Sequence, residues 1–421
     1  MGGQPLGHLI AQIETLPDTP LPAAQALYYT LLLAEADPPL DAGRDARFLR
    51  ARLDTLRRFG AVDAALALAE RAGPATPALF DTWLDLALLK GVEDAPCAAL
   101  MRRPQLSASY GRRIFCTARA GDWPTAALIF DDARALGLLD SLESALLSRF
   151  LDPEAMPAGP DLPPPRQMTP LIFRLFEANG RTLPTGSLPR AYAVADLRGT
   201  MGWKAEIEAA ERLARAGAVP ANRLLGLYTA RAPAASGGVW ERVRAIQALD
   251  TALGKGDRQA IAAALPRAWR AMSGNGLGIV LATLFGDKLA RLDLPDEAAL
   301  AHRIALLAPD DGPPPPAPPD LPRGLRFADS LARGAPEPAG AQSPTERAIL
   351  AAFTAAAPPP DQARLLARGQ LGEAILAAAA ELDRRGSKRA LEAALATLRH
   401  VGLEKVARRA ALQILLLPGP G

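Results

Sequence analysis

Few residues of this chain have both the type and the spacing that chemistry requires. The adjacent acids Asp131 and Asp132 are one such pair, since two carboxylates that face each other in a cleft can share proton transfer. Neighbouring side chains of one helix point about 100° apart, so these two carboxylates diverge. Both positions also lie off the apolar stripe of their segment, which predicts a solvated helix face rather than an acid–base pair.

Two glycine-rich segments have some features of phosphate-binding loops. Residues 252–257 (ALGKGD) contain a Gly-Lys pair, but Leu249 stands at the early glycine position and Gly256 stands where a Ser or Thr is needed. Residues 273–280 (SGNGLGIV) follow a helical segment, whereas a dinucleotide fingerprint follows a strand. Both segments are therefore predicted to be turns between helices.

A third segment is the best candidate for a contact with an anion or small ligand. Ser236, Gly237 and Gly238 stand directly before an amphipathic helix, and Arg231 lies a few residues upstream. Exposed N–H groups at the start of a helix can hold an anion. An ordinary helix cap and turn is the alternative, and the residues alone leave both interpretations open.

Cysteine and histidine are too few for most metal or catalytic sites. Cys97 and Cys116 could form a disulfide, because sequential helices of a hairpin stack pack side by side, or they could be two buried thiols. His8 lies in a terminal segment, and His302 and His400 lie on predicted helices with no Ser, Cys or acid partner at a suggestive spacing. We therefore expect no cofactor, no metal and no catalytic residue.

The elements that position these residues are predicted to be helices throughout. Ala and Leu dominate the apolar fraction of 49%, and only 5% of the residues are aromatic. Ala and Leu favour helices, while the alternating Val, Ile, Thr or Tyr that would favour strands does not occur. The 40 prolines and 35 glycines fall mostly between apolar periodic segments, where they begin or end helices. The sequence predicts an all-α fold of many short helices.

Charge and hydropathy argue against two kinds of partner. Lys and Arg number 48 against 45 acidic residues, and the two signs are interleaved rather than gathered into a basic stripe. No apolar run approaches the ~20 residues that span a bilayer, and the N-terminus has no visible signal peptide. We expect no nucleic acid, no membrane span and a cytoplasmic location, or a periplasmic one if a signal peptide was removed.

Residues 121–137 (GDWPTAALIFDDARALG) contain a pattern that recurs along the chain. A glycine is followed by small or apolar residues at offsets of five, nine and twelve. Gly60, Gly91 and Gly121 are 31 and 30 residues apart, a spacing typical of helical hairpins. The residues with expected packing roles in this pattern are Gly60, Ala65, Gly91, Gly121, Trp123, Ala126, Phe130, Ala133, Gly402, Ala407 and Ala411.

This pattern resembles the second helix of a tetratricopeptide-type hairpin. The resemblance implies that the small residues let two helices approach closely and that the aromatic residues fill the gap to the next hairpin. The Trp, Leu-Gly and Tyr signature of the first helix is largely missing, and the spacing is irregular between Gly121 and Gly256. The expected architecture is an irregular α-solenoid of stacked helical hairpins with Pro-rich interruptions and a small C-terminal helical bundle.

Three segments rich in proline, at 152–170, 309–324 and 334–344, suggest where the chain divides, and the consecutive prolines of the second hold an extended and stiff conformation. The expected regions are N-terminal helical hairpins at 1–151, a Pro-rich crossing at 152–169, a middle helical region at 170–308, a Pro-rich linker with a short helix at 309–342, and C-terminal helical hairpins at 343–417.

The chain as a whole is similar to a set of uncharacterised Ala-rich bacterial proteins labelled "antifreeze glycopeptide polyprotein". That label implies Ala-Ala-Thr repeats, which this sequence does not contain, so the similarity is one of composition and brings no functional residues. The leading hypothesis is a non-catalytic scaffold that binds a protein partner. The alternatives are an enzyme or small-ligand-binding protein with a loop-built middle site, and a structural component of a bacterial envelope or secretion assembly.

Two sets of residues should distinguish the first two hypotheses. A scaffold should present Tyr228, Trp240 and Trp269 along one concave face. A ligand-binding protein should instead bring four polar residues together in a closed pocket, namely Lys204, Asn222, Arg223 and Arg231.

Overall fold

The structure is a computed structural model that describes residues 5–18, 21–35, 39, 41, 43, 45–154, 162–309, 312–382 and 387–418. Within these ranges the chain forms α-helices and short 3-10 helices and no strand, which confirms the all-α prediction.

The α-helices of the first half are α1 (Leu6–Glu14), α2 (Pro22–Leu33), α3 (Arg47–Arg58), α4 (Val62–Arg71), α5 (Phe80–Lys90), α6 (Asp94–Arg102), α7 (Tyr110–Arg119), α8 (Trp123–Ala135), α9 (Ser141–Leu151), α10 (Pro170–Ala178), α11 (Ala193–Asp196) and α12 (Trp203–Arg215). Those of the second half are α13 (Ala221–Thr229), α14 (Val239–Lys255), α15 (Arg258–Ser273), α16 (Gly278–Leu289), α17 (Ala298–Leu307), α18 (Arg323–Ala332), α19 (Pro344–Thr354), α20 (Pro360–Ala367), α21 (Leu371–Leu382), α22 (Lys388–His400) and α23 (Glu404–Leu416). The 3-10 helices are Pro104–Leu106, Arg190–Tyr192, Pro295–Glu297 and Pro338–Gly340.

Many helices follow a turn that contains a glycine with positive φ. Glycine adopts this left-handed conformation at little cost, which is why it commonly ends a helix. Each of these glycines has a φ between 66° and 90°, and the next helix begins within three residues. The glycines are Gly60, Gly91, Gly121, Gly202, Gly256, Gly276, Gly369 and Gly402.

The residues five and nine positions after each of these glycines are buried, as the repeating pattern predicts. They are Ala65 and Ala69, Pro96 and Leu100, Ala126 and Phe130, Ile207 and Glu211, Ile261 and Leu265, Leu281 and Phe285, Ala374 and Ala378, and Ala407 and Ala411. All are apolar except Glu211. The residue twelve positions after the glycine, however, is buried at Ala133 and Ala268 and exposed at Ala72. The helices α4, α6, α8, α15, α21 and α23 each pack against the helix before them, which agrees with hairpin formation.

The chain divides into two compact units, and the boundaries differ from those expected at the proline-rich segments. The smaller unit is Ala42–Ala205, and the larger combines Met1–Asp41 with Glu206–Gly421. Proline ends a helix but does not prevent a later helix from packing on an earlier one, and α10 packs against α5 and α9 across the expected crossing. Residues 155–161 of that crossing and 310–311 of the expected linker lie outside the described residues.

The larger unit joins helices that are far apart in sequence. Helix α2 packs against α21 and α23, and the backbone N–H of Ala23 donates to Oε1 of Gln413 at 2.8 Å. Gln413 is buried, so this hydrogen bond holds the start of α2 in a fixed place. Across the part of the chain that the structure describes, no helix combines the length and the apolar character that crossing a membrane requires.

A close approach between α16 and α17 predicts a large difference between two glycine substitutions. A Cβ at Gly286 would lie 2.7 Å from the Cβ of Ala308 and 3.3 Å from the carbonyl oxygen of Ile304, so Gly286→Ala should cost about 1–3 kcal/mol. A Cβ at Gly226 of α13 would meet no atom within 4 Å, so Gly226→Ala should stabilise by about 0.5–1 kcal/mol. Urea unfolding of both variants measures this difference, and equal effects would contradict the close packing.

Candidate functional site

Half of the large apolar side chains that are exposed among the described residues lie on α8 and the turn after it. Trp123 is 45% exposed, Leu128 68%, Leu136 70% and Leu138 47%. Scattered exposed apolar residues are normal in a soluble protein, but a concentration of them indicates an interaction surface. We call residues 122–140 the α8 surface.

Helix α8 is exposed because it packs through a single stripe. Ala126, Phe130 and Ala133 are its buried residues, and they recur at the three- and four-residue spacing of one helix face. They pack against α7 and α9. The side chain of Asp122 accepts a hydrogen bond from the N–H of Thr125 at 3.2 Å and caps the helix. The rest of the helix circumference faces solvent.

Trp123 departs from the packing role that its pattern predicts. One side of its ring lies against Phe150, with 5.5 Å between the ring centroids, but 45% of the residue stays exposed. As the first residue of α8, Trp123 stands at the end of the buried stripe, so the neighbouring helices cover only part of its ring. Trp123 thus contacts the helix after its hairpin but fills that gap only in part, whereas Phe130 is 6% exposed.

The two aspartates of α8 are solvated, as predicted. The side chain of Asp131 is 67% exposed, and Asp132 is exposed beside it. Arg134 lies 3.8 Å from Asp131 and over the ring of Phe130. The α8 surface therefore combines exposed apolar side chains with a surplus of negative charge.

Cys97 of α6 and Cys116 of α7 form a disulfide in the structure. Their sulfur atoms are bonded, and their Cα atoms lie 4.8 Å apart. Both residues are buried, so the bond is shielded from solvent thiols. A second contact between the same helices joins Nε of Arg119 and Oε1 of Glu93 at 3.6 Å. The earlier residue of α6 contacts the later residue of α7 in the two pairs, which shows that α6 and α7 are antiparallel.

Hydrogen bonds from α14 fix the backbone of residues 231–238, the loop that was expected to contact an anion. Side chains of α14 donate to three carbonyl oxygens of the loop: Gln247 to Arg231 at 2.7 Å, Arg244 to Ala235 at 2.7 Å, and Arg242 to Gly238 at 3.4 Å.

The side chains that would have to make the anion contact are exposed. Ser236 and Arg231 both face solvent, while Gly237 and Gly238 have positive φ values of 82° and 54°. These observations account for the loop as a cap and turn, and the anion contact stays a prediction.

The two glycine-rich segments are turns between helices, as predicted. Gly256 ends α14 with a φ of 66°, and the Asp257 side chain caps α15 by accepting from the N–H of Ala260 at 3.0 Å. Gly276 lies in the turn between α15 and α16. Neither segment follows a strand, since the described residues contain none.

Glu211 is a buried charged residue that the sequence analysis missed. It is 1% exposed, and its carboxylate accepts from the Tyr228 hydroxyl at 2.8 Å, from Arg215 at 3.1 Å, and from Nε and Nη2 of Arg242 at 2.7 Å each. The paired contact of Arg242 is the bidentate geometry that a guanidinium and a carboxylate favour. One feature of the sequence could have indicated that Glu211 is buried. It stands nine residues after Gly202, a position that is apolar in the other hairpins.

A second group of interacting charges lies in the smaller unit, between α3, α5 and α7, with Asp85 and Arg112 as its least exposed members. Arg112 donates to Asp85 at 2.8 Å and also contacts Asp81, while Arg57 lies 3.6 Å from Asp85. Burial raises the pKa of Asp85 to about 6, although the charges of Arg112 and Arg57 act in the opposite direction. The Asp85 carboxyl therefore releases its proton less readily than an exposed aspartate.

Asp85 should make the stability of the smaller unit depend on pH. Its native pKa of about 6 lies above the ordinary 3.8, so protonation favours the folded state, and stability present at low pH is lost as pH rises through about 6. Compared with Asp85→Asn, the wild-type free energy of unfolding should fall by roughly 2 kcal/mol between about pH 4 and about pH 7. Urea unfolding at several pH values measures this change.

The exposed Asp132 offers a matched control, since Asp132→Asn should change stability by less than about 0.5 kcal/mol. A wild-type to Asp85→Asn difference that is constant with pH would contradict the assigned environment of Asp85.

His302 has an acid partner that its sequence neighbourhood did not reveal. Its Nε2 lies 2.9 Å from Oδ1 of Asp329 on α18, and Arg333 donates to the same carboxylate at 2.8 Å. Burial lowers the pKa of His302, although the adjacent Asp329 acts in the opposite direction. His8 has an acid partner as well, since its Nε2 lies 2.9 Å from Glu373. Both acids lie on other helices, so the spacing along the sequence did not indicate them.

The two sets of residues chosen to distinguish the hypotheses do not form the expected surfaces. Tyr228 is fully buried and Trp269 is 9% exposed, so both are core residues, and only Trp240 is partly exposed. Asn222, Arg223 and Arg231 are exposed, and Lys204 belongs to the other compact unit. The aromatic residues are buried because they lie on the apolar stripes of their helices.

Comparison of the chain with models of known protein families, with curated proteins and with solved structures finds no match.

Proposed function

We propose that the protein is a non-catalytic scaffold that binds a protein partner through the α8 surface. The observation that carries this proposal is the concentration of exposed Trp123, Leu128, Leu136 and Leu138 within one helix and its following turn. Exposed apolar side chains rimmed by charged ones are the usual composition of a protein-binding surface.

The rigidity of α8 supports the same function. Both ends of the helix are fixed locally, by the Asp122 cap at the start and by Gly137, with a φ of 65°, after its end. Phe130 and Ala133 anchor the buried face. A preformed surface loses little conformational freedom on binding, which favours affinity.

Capture of partners by tagged protein from the native cell tests the proposal, with two variants compared. Leu128→Glu places a charge in the centre of the α8 surface and should abolish capture of the partner. Leu371→Glu changes a residue of α21 that is 49% exposed, and it should leave capture intact. Equal capture by both variants, or a specific small molecule recovered without any protein, would overturn the scaffold function.

We also propose that the protein works in an oxidising compartment, such as the periplasm, as part of an envelope or secretion assembly. Support comes from the buried Cys97–Cys116 disulfide, because such bonds persist in oxidising compartments and are rare in the cytosol. Alkylation of unreduced protein isolated from the native cell tests this location. We expect no free thiol per chain, and two free thiols would rule the compartment out.

A further inference from the structure

Positive and negative residues occupy two different segments of the smaller unit, whereas they are interleaved over the chain as a whole. Residues 95–121 contain five arginines and no acidic residue, whereas residues 122–161 contain eight acidic residues and two arginines. The first segment covers most of α6 and α7, and the second covers α8 and α9. Arg112 and Arg119 pair with acidic residues outside the first segment, so its exposed positive charge comes mainly from Arg102 and Arg103.

The exposed positive charge lies where α6 ends and the 3-10 helix Pro104–Leu106 begins. Met101 is 42% exposed, and the residues from Met101 to Gln105 all face solvent. We call residues 101–105 the basic loop. Among the described residues, neither Arg102 nor Arg103 has an ion pair. The structure therefore gives these two charges no partner within the described part of the chain.

The residues directly after the basic loop are buried and hydrogen-bonded, which fixes the conformation of the loop. Leu106 and Ser107 are buried, and Arg113 donates to the carbonyl oxygen of Ser107 at 2.7 Å. The hydroxyl of Ser107 donates to Asp81 at 2.7 Å. The loop thus presents its arginines from a preformed backbone, as a binding surface requires.

The basic loop and the C-terminal part of the α8 surface lie at the same end of the helices α6, α7 and α8. The disulfide and the Glu93–Arg119 contact make α6 and α7 antiparallel, so that the end of α6 lies beside the start of α7. Three residues join α7 to α8, so α8 runs antiparallel to α7 and ends at that same side. Leu136 and Leu138 therefore share this end with Arg102.

We propose that this end of the smaller unit is a two-fold interface with a second copy of the chain. In a two-fold arrangement, the same surfaces meet in both directions, so the basic loop of each copy lies against the α8 surface of the other. In this arrangement Arg102 and Arg103 of one copy lie opposite Asp131 and Asp132 of the other, and Met101 of one copy packs with Leu136 of the other. All six side chains are exposed in the single chain. This inference rests on the proposed function of the α8 surface and names its occupant.

A second copy fits this surface because each chain carries both the basic loop and the acidic α8 surface, whose charges are opposite. Arg102, Arg103 and Asp132 have no ion pair within the described residues, so a copy placed across the two-fold axis would bring each an opposite charge. The exposed apolar residues Met101, Leu136 and Leu138 would form the core that such an interface needs. Because the charges are exposed, salt should weaken the dimer.

Sedimentation of the full-length protein at micromolar concentration tests the interface. The wild type should sediment with twice the chain mass of 44.3 kDa, and the dimer should weaken as salt is raised. Leu136→Glu should weaken association by about 30-fold or more, since Leu136 lies at the centre of the interface. Leu371→Glu is the matched control and should leave the dimer unchanged. A monomeric wild type, or a dimer unaffected by Leu136→Glu, would overturn the proposal.

Two variants with exchanged charges provide a second test, in which the expected result is a gain of association rather than a loss. One variant carries Arg102→Glu and Arg103→Glu, and the other carries Asp131→Arg and Asp132→Arg. Each variant alone should be monomeric, because like charges face each other at both contacts. Mixed together they should form a heterodimer, because both contacts regain opposite charges, and this result also demonstrates that each variant is folded. Failure of the mixture to associate would refute the interface.

The same experiments separate this inference from the proposed function. A monomeric wild type that captures a different protein, and loses it in Leu128→Glu, would reject the second copy and leave the scaffold function standing. A monomer that captures no protein at all would reject both.

Discussion

Glu211→Ala is expected to destabilise the protein by about 3–5 kcal/mol, because it removes one partner of a buried ion pair and leaves the other uncompensated. Glu211 is 1% exposed and is the shared acceptor of Arg215, Arg242 and the Tyr228 hydroxyl. Burial and the Glu211 carboxylate raise the pKa of Tyr228, so its hydroxyl stays protonated and needs that acceptor. Urea or thermal unfolding measures the loss.

Two further variants show whether the loss comes from the unpaired charges. Glu241→Ala, an exposed acid in the first turn of α14, should cost less than about 1 kcal/mol. The double variant Glu211→Leu with Arg242→Leu should be more stable than Glu211→Ala, because replacing both ions with apolar side chains leaves less buried charge unpaired. A cost below about 1 kcal/mol for Glu211→Ala would show that the network contributes little.

Reduction of the Cys97–Cys116 disulfide is expected to cost the smaller unit roughly 3 kcal/mol, given a sequence separation of 19 residues. The bond restricts the unfolded chain, and a loop of this length sets the size of the entropy that is regained on reduction. Urea unfolding with and without a dithiol reductant measures the difference. Cys97→Ala with Cys116→Ala is the control, and its midpoint should not respond to the reductant. An unchanged wild-type midpoint on reduction would contradict the stabilising role.

The helices and their ends could be predicted from local residues, because a glycine in the turn and buried residues at fixed offsets act within one hairpin. Gly121, Ala126 and Phe130 illustrate this, since their conformation and burial depend mainly on α7 and α8. The partial exposure of Trp123 could not be predicted, because its burial depends on how far the neighbouring helices extend beside it. The compact units could not be predicted either, since the packing of α2 on α23 involves residues about as far apart as the chain allows.

The candidate site was predictable only in part, for a related reason. The exposure of Asp131 and Asp132 follows from the helical period of α8 alone. Partners such as Asp329 for His302 come from a different helix, so the spacing along the sequence does not reveal them. Glu211 looked like an ordinary surface acid because its neighbours Glu206 and Glu208 are also acidic, and only its offset from Gly202 marked it as buried.

The composition of the larger unit has a consequence for how the protein is made. The ribosome synthesises the smaller unit before the C-terminal partners of α2 exist. The hydrogen bond of the Ala23 N–H can form only after Gln413 has been made, 390 residues later. At ordinary translation rates this delay is roughly 20–80 s. During that time the apolar side of α2 has no native partner in α21 or α23. The native packing of α2 can therefore be completed only after nearly the whole chain has been made.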